Sequence, residues 1–476
     1  MGPAPALAPT PNSVAVLYFE NLSRDTADAY LADGLTEEVT SRLGDLAHLH
    51  IKRPNRNALR RLQDSMPDAA AVGRVLRVRY LVEGSLRREG DRVRVSVRLV
   101  RGDDGFRVWG ADYNRTTADL LALQEEIARA VATGIAGRLA PADLAALAGR
   151  PTSSPRAYEH FLHGNYYVAQ RAPRLAVRAI EEYTAAVRLD PGFARAHAGL
   201  AYGYWLLLNL NWEYKDLPAD SLLLRGLGAS DHALQLDSSS SDSWMVRGSL
   251  LAIRHPRTYD GVRSAFERAV VLDPGNSEAH HLYAVQLRYL GEDSVAALEY
   301  HRALDLEPDR AITLQGLGSV YYVARRYAEA VQWLDSALAV DPSYYLGYLR
   351  RARVRLQLGE IDGARGDAET AMRLGEGSEL AAAVLTLAEA QAGDTQAARA
   401  RLERALRVIR HPERPGPTEA LFAAAMAAVG DEQQALDFLV RVQPRGAQLV
   451  FELRAPEFDR LRGNPRFQRL VEQSNP

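Results

Sequence analysis

The stretch "ALDLEPD" (Ala303–Asp309) recurs almost unchanged as "ALAVDPS" (Ala337–Ser343). Upstream it reads "AVVLDPG" (Ala269–Gly275) and "AVRLDPG" (Ala186–Gly192), with a degenerate copy "ALQLDSS" (Ala233–Ser239). Pro274, Pro308 and Pro342 fall 34 residues apart. Ser238 takes the proline slot 36 residues before Pro274, and Pro191 lies a further 47 upstream. A fixed period of about 34 residues marks a stack of helical hairpins, none of which buries its apolar face alone.

The residues between the repeated phrases fit that reading slot by slot. Leu317, Gly318 and Tyr321 share one face of a first helix, and Ala330, Leu334 and Ala337 share one face of a second. The small residues allow close helix crossing, and Pro342 stops the second helix. Equivalent sets recur as Tyr283, Ala284, Leu287, Ala296, Tyr300 and Ala303, then Ala352, Gly359, Ala364, Ala368 and Ala371. Further sets fall at Gly164, Tyr167, Ala179, Tyr183 and Ala186, at Gly393–Ala405 and at Gly430–Leu439. Period and slot chemistry together are those of tetratricopeptide (TPR) repeats. The expectation is an all-α superhelical solenoid of about seven hairpins over residues 156–445, closed by capping helices over 446–476.

The chain has 476 residues, a net charge of −2 and a pI of about 6.6, so there is no bulk electrostatic case for nucleic acid or an anionic membrane surface. Arginine supplies nearly all the positive charge; Lys52 and Lys215 are the only lysines. The absence of cysteine excludes disulfides, thiol nucleophiles and thiolate metal sites. No stretch approaches the ~20 apolar residues of a membrane span. The start, "MGPAPALAPTPNS", has no signal-peptide pattern, and residues 1–12 read as a Pro/Ala-rich linker. As written, the chain is expected in the cytoplasm and not inserted in a membrane.

Residues 13–139 follow a different rhythm. "SVAVLYF" (Ser13–Phe19) is a buried strand, and Leu35, Val39 and Leu43 have helical spacing. From Tyr80 the pattern alternates: Val93, Val95, Val97 and Leu99 point one way and Arg92, Arg94, Ser96 and Arg98 the other. This predicts a small α/β domain with an antiparallel meander and one wet face, joined to the repeats by a linker over 140–155. The stretches "SVAVLYFENLSRDTADAYLADGLTEEVTSRL", "VRYLVEGSLRREGDRVRVSVRLV" and "LLALQEEIARAVA" resemble the TolB amino-terminal-like domain of bacterial regulators. "SPRAYEHFLHGNYYV" and "APEFDRLRGNPRFQRL" are similar to the same family, so the resemblance covers nearly the whole chain. It implies a signalling protein in which such a head precedes TPR repeats, often behind a kinase, cyclase or DNA-binding segment. The alternative it carries is the sensor region of a membrane-bound regulator, periplasmic, with ligand sensing by the head.

Catalytic signatures are missing: no GKS/GKT, HExxH or GxSxG occurs. His280 and His281 are adjacent and diverge on a helix, so they are read as core and inner-face residues rather than metal ligands. The acidic set Asp33, Glu37 and Glu38 is read as macrodipole partners near a helix start, and Ser238–Ser241 as an inter-repeat loop open to phosphorylation. The expectation is a non-catalytic scaffold without cofactor or metal, holding a protein or peptide partner in the groove lined by first helices. By slot, that groove comprises Tyr158, Phe161, Asn165, Tyr202, Trp205, Met245, His281, Arg288, Tyr289, Gln315, Tyr322 and Arg353, types that anchor interfaces. A cationic carboxylate clamp is not expected, because Phe161 stands where a lysine would precede Asn165. Oligomeric state is not legible.

Overall fold

The computed structural model describes residues 10–474 except 45, 47, 53–55, 67, 211, 256–258, 376–377, 409–416 and 443–446; positions 1–9 of the expected Pro/Ala-rich linker lie outside the described residues. The chain divides into two compact units, Met1–Leu250 with Ser264–Ser277, and Leu251–Arg263 with Glu278–Pro476.

The first unit opens with the head domain. Its elements are β1 (Ser13–Val16), β2 (Glu20–Asn21), α1 (Ala29–Gly44), β3 (His50–Lys52), α2 (Arg56–Ser65), α3 (Ala69–Leu76), β4 (Tyr80–Glu89), β5 (Arg92–Arg101), β6 (Arg107–Thr116), α4 (Leu120–Ala136) and α5 (Pro141–Leu147). The sheet runs β3-β1-β4-β5-β6, parallel through β1 and antiparallel across the meander, with β2 against β4. Alternation decides its faces. Val93, Val95, Val97 and Leu99 are buried with Leu35, Val39, Leu123 and Ile127 of α1 and α4, while Arg92, Arg94 and Arg98 stay exposed. The opposite face buries Ala15, Leu81 and Val100 against Val72 and Leu76 of α3. Gly73 makes that packing possible, since a Cβ there would stand 2.3 Å from the Gly102 carbonyl oxygen.

Residues 140–155 are not an open linker. Pro141 starts α5, the Asp143 carboxylate accepts from the Ala140 N–H at 2.9 Å, and Leu147 is fully buried in the head's core. The Arg42 guanidinium then donates to the Leu147 carbonyl at 2.6 Å. The next helix follows at once, its Ser154 hydroxyl accepting from the Ala157 N–H and Pro155 at the first position.

Eight hairpins follow among the described residues, one more than the sequence reading. They are α6/α7 (Pro155–Val168, Pro173–Leu189), α8/α9 (Ala194–Asn209, Ala219–Leu236), α10/α11 (Ser241–Arg254, Val262–Leu272) and α12/α13 (Ser277–Tyr289, Asp293–Leu306). Then come α14/α15 (Ala311–Val323, Tyr327–Val340), α16/α17 (Tyr345–Gln357, Ile361–Leu374), α18/α19 (Ser378–Gln391, Thr395–Val408) and α20/α21 (Pro417–Ala428, Glu432–Val442). The chain ends in α22 (Ala447–Leu453), a 3-10 turn (Pro456–Leu461) and α23 (Pro465–Ser474).

The repeated phrase has a local physical meaning. Asp190, Asp237 and Asp341 leave their helices in an extended conformation. Each carboxylate accepts from the backbone N–H two residues on: Gly192 at 3.0 Å, Ser239 at 2.9 Å and Ser343 at 3.0 Å; Asp273 does the same with Gly275 at 2.9 Å. This Asx turn terminates one hairpin and aims the next. Within the hairpins the small slots are fully buried, as at Ala179, Ala186, Ala296, Ala303, Ala330 and Ala337. At Gly318 even a methyl would press within 2.9 Å of Leu334.

Candidate interaction surfaces

In the first unit the inward slots of α6 do not line an open groove; the head fills them. Tyr158 and Phe161 belong to the head's apolar core. The Tyr158 hydroxyl donates to Gln124 of α4 at 2.9 Å, and Phe161 lies 5.0 Å from Phe193 under the Arg195 guanidinium. Asn165, half-buried, accepts from the Tyr183 hydroxyl at 2.8 Å. Trp205 and Met245 are buried as well, 5% and 4% exposed, because large side chains at these slots pack between neighbouring hairpins. Tyr202 is partly exposed, its ring 5.2 Å from Trp205 and its hydroxyl accepting from Arg171 at 3.4 Å.

The acidic set of α1 is also not what the sequence suggested. Asp33 and Glu38 sit inside the helix and are buried, not near its start. Asp33 pairs with Arg60. Glu38 accepts from Arg195 of α8 at 2.6 Å and lies 3.0 Å from the Arg42 Nε. Burial pushes the Glu38 carboxyl up, but Arg195 and Arg42 outweigh it and hold it below the ordinary carboxylate range. This triad of buried Glu38 and Arg42 with half-buried Arg195, together with Tyr30 donating to Glu159 at 3.0 Å, ties the head to the first hairpins.

Beside it lies a polar concavity of about 750 Å³. The cavity is lined by Glu38, Arg42 and Arg195, by Arg150 of the turn after α5, by Ser239 and Asp273 of the inter-repeat loops and by Asp242 in the first turn of α10. The predicted serine loop is therefore a wall of this cavity. Ser238 and Ser239 are exposed, whereas Ser241 is buried and donates to the Ala269 carbonyl at 2.9 Å. Among the described residues, the buried Arg42 Nη2 has no hydrogen-bond partner.

In the second unit several of the inward-slot residues meet the chain's own C-terminal segment. Arg288 is buried with its guanidinium 4.7 Å from the centre of the Phe451 ring, and Tyr289, half-buried, meets the same ring edge-on at 6.2 Å. Arg353 donates to Glu452 at 3.0 Å and to Glu457 at 2.6 Å, and lies 5.3 Å from the ring of Tyr322, which is 2% exposed. Arg350 donates to Glu452 at 2.8 Å and Arg325 to Asp459 at 2.7 Å. Burial alone would raise the Glu452 carboxyl; Arg350 and Arg353 overcome it and hold it at about 2. The sequence placed Phe451, Glu452 and Glu457 in or beside a cap without assigning them partners. The one signal available was the density of acids and aromatics in "FELRAPEFD" (Phe451–Asp459).

His281 and Gln315 are buried and turned to neighbouring helices: His281 Nδ1 lies 3.0 Å from Thr313 Oγ1, and Gln315 donates to Ser319 at 2.7 Å while accepting from Tyr344 at 3.2 Å. His280 pairs with buried Glu299. Among the described residues no group of three or more His, Asp or Glu is placed to hold a metal ion. Nor is any helix among them long and apolar enough to cross a membrane.

No protein-family model matches the chain. A protein named "Putative adenylate cyclase 3" from Rhizobium meliloti (strain 1021) is 29% identical over 254 residues, covering 52% of this chain and 42% of that protein. Protein FlbA from Caulobacter vibrioides is 34% identical over 100 residues, covering 21% of this chain and 17% of its own. The chain thus spans less than half the length of these curated relatives. Among solved structures, YrrB, described as a TPR protein with an unusual peptide-binding site, superposes with a TM-score of 0.32 at 19% identity, covering 42% of this chain and 96% of its own. A human IFIT1 dimer with m7Gppp-AAAA superposes with a TM-score of 0.44 at 13% identity, covering 68% and 88%.

Proposed function

We propose that the protein is a non-catalytic interaction scaffold, bacterial and of the signalling type, that holds a segment of a partner protein. The observation that carries this is the open polar concavity of the first unit, built where the head, the turn after α5 and two inter-repeat loops converge. Its walls offer both signs of charge, Arg150 and Arg195 against Asp242 and Asp273, which suits a peptide's polar groups better than an apolar ligand. Asn165 and Tyr202 stay partly accessible in the same unit. The test is affinity capture from source-cell extract with the intact chain, against a chain carrying Arg150→Ala, Tyr202→Ala and Asp242→Ala. Arg150 and Asp242 are exposed and Tyr202 partly so; because Asp242 accepts from buried Asn276 and Tyr202 packs on Trp205, the comparison is made at a temperature where circular dichroism shows both chains folded. A partner held by the first chain and lost by the second supports the reading; identical capture by both sinks it.

A second reading is favoured by the volume of the same cavity, which lies in the range of small-molecule sites, and by the partial match to a cyclase-named relative. Here the unit would sense a small ligand for a regulator's output segment. A melting-temperature screen against fractionated small-molecule extract tests it. A shift that Arg195→Ala abolishes supports sensing, and no shift with any fraction removes it.

A further inference from the structure

From the way inward-slot residues of the second unit meet its own C-terminal segment, we infer that the inner face of α12, α14 and α16 is an acceptor for an acidic segment anchored by an aromatic residue, and that residues 447–461 are its built-in competitor. This deepens the scaffold reading and rests on it. Four residues assigned to a binding surface by repeat slot, Arg288, Tyr289, Tyr322 and Arg353, converge on one short stretch. Arg288 and Tyr289 hold the Phe451 ring; Arg353, backed by Tyr322, holds Glu452 and Glu457. Arg350 and Arg325 extend the same cationic row to Glu452 and Asp459.

A segment whose only role was to seal the last hairpin would need apolar contacts alone. Those are present: Leu449, Leu453, Phe458 and Leu461 are buried in the core that includes α20. The charged contacts are additional, and they reach hairpins about 100 residues earlier in the chain. A partly buried arginine row with aromatic neighbours recognises carboxylates by paired, charge-assisted hydrogen bonds. Its specificity is therefore for an aromatic side chain followed at one and six residues by carboxylates, as in Phe451, Glu452 and Glu457. A partner carrying that pattern would take the same guanidiniums, and it must displace the resident segment to do so.

The experiment uses the full chain and, as probe, a fluorescently labelled synthetic peptide of residues 447–462, read by anisotropy. Glu452→Gln weakens the resident segment's hold and leaves the arginine row intact. The prediction is that the variant keeps its far-UV circular dichroism and binds the peptide about tenfold or more tightly than the wild type. Adding Arg353→Gln, or replacing both glutamates in the peptide by glutamine, should remove that binding. A folded Glu452→Gln chain that ignores the peptide overturns the inference. So does a variant that loses its helical signal, since the segment would then be integral core. Dimerisation of the variant without peptide uptake, seen by light scattering, overturns it too and assigns the face to a second copy of the chain. A partner captured through the first unit while the peptide fails would leave the scaffold reading standing and remove this one.

Discussion

Glu452→Gln is also the sharpest probe of how the second unit holds itself together. In the folded protein the carboxyl sits at about 2 against an ordinary value of 4.5. At 1.36 kcal/mol per pH unit, that difference makes the ionised carboxylate worth about 3 kcal/mol to the docked state. Because the value is depressed on docking, the contribution is complete above about 4.5, falls as pH drops through the interval, and is gone near 2. The loss belongs to local undocking of residues 447–461 rather than to the whole solenoid, whose hairpins unfold semi-independently. Hydrogen exchange read on peptides covering 447–461 is therefore the assay. At neutral pH the substituted chain should exchange about a hundredfold faster there than the wild type, with little change in α14 or α16. The ratio should shrink toward one as pH is lowered from 4.5 toward 2. A ratio near one at neutral pH, or one that stays constant with pH, would refute the assignment of Glu452 as the ionic anchor.

Phe161→Ala should cost about 3–5 kcal/mol in urea unfolding followed by circular dichroism, as for other buried phenylalanines; an unchanged midpoint would mean the ring is not held between Phe193 and Arg195. Gly73→Ala should destabilise the head by about 2 kcal/mol, because the new methyl meets the Gly102 backbone and no side chain can yield. Wild-type stability would show that α3 can lift off that turn. Glu38→Gln should cost about 2 kcal/mol at neutral pH by leaving buried Arg42 and half-buried Arg195 without their carboxylate. Since the Glu38 carboxyl is held below its ordinary value, that cost must fade as pH falls below about 4.5. A pH-independent difference between the two chains would contradict the triad.

What the sequence could show follows from the range of the interactions involved. The Asp-centred turns close within three residues, so their repetition is visible as text, and period and slot give the hairpins directly. Alternation from Arg92 to Leu99 likewise fixes which face of β5 is wet. The slot rule, however, says only which side chains face inward from a hairpin, not what else the chain brings there. Tyr158 faces inward and meets Gln124 of α4, and Phe161 meets Phe193 and Arg195. Arg288 and Arg353 face inward and meet residues about 100 or more positions later. Trp205 and Met245 are large enough to be consumed by neighbouring hairpins. The buried state of Glu38 was hidden for the same reason: its partner Arg195 lies 157 residues away, and locally it reads as an ordinary surface glutamate. Even the later units, which lack the punctuating proline, show in the slot sets at Gly393–Ala405 and Gly430–Leu439, and the described hairpins number eight rather than about seven.

The Asx turns carry a consequence for how the chain is born. Each forms from three consecutive residues, so hairpins can close in order as they leave the ribosome, with contacts mostly between neighbours and low contact order. The row formed by Arg288, Arg350 and Arg353 is complete about a hundred residues before Phe451 and Glu452 are synthesised. For that interval, some seconds at ordinary elongation rates of about 5–20 residues per second, the second unit presents its guanidiniums uncovered. The chain's own carboxylates thus arrive at a surface that already exists.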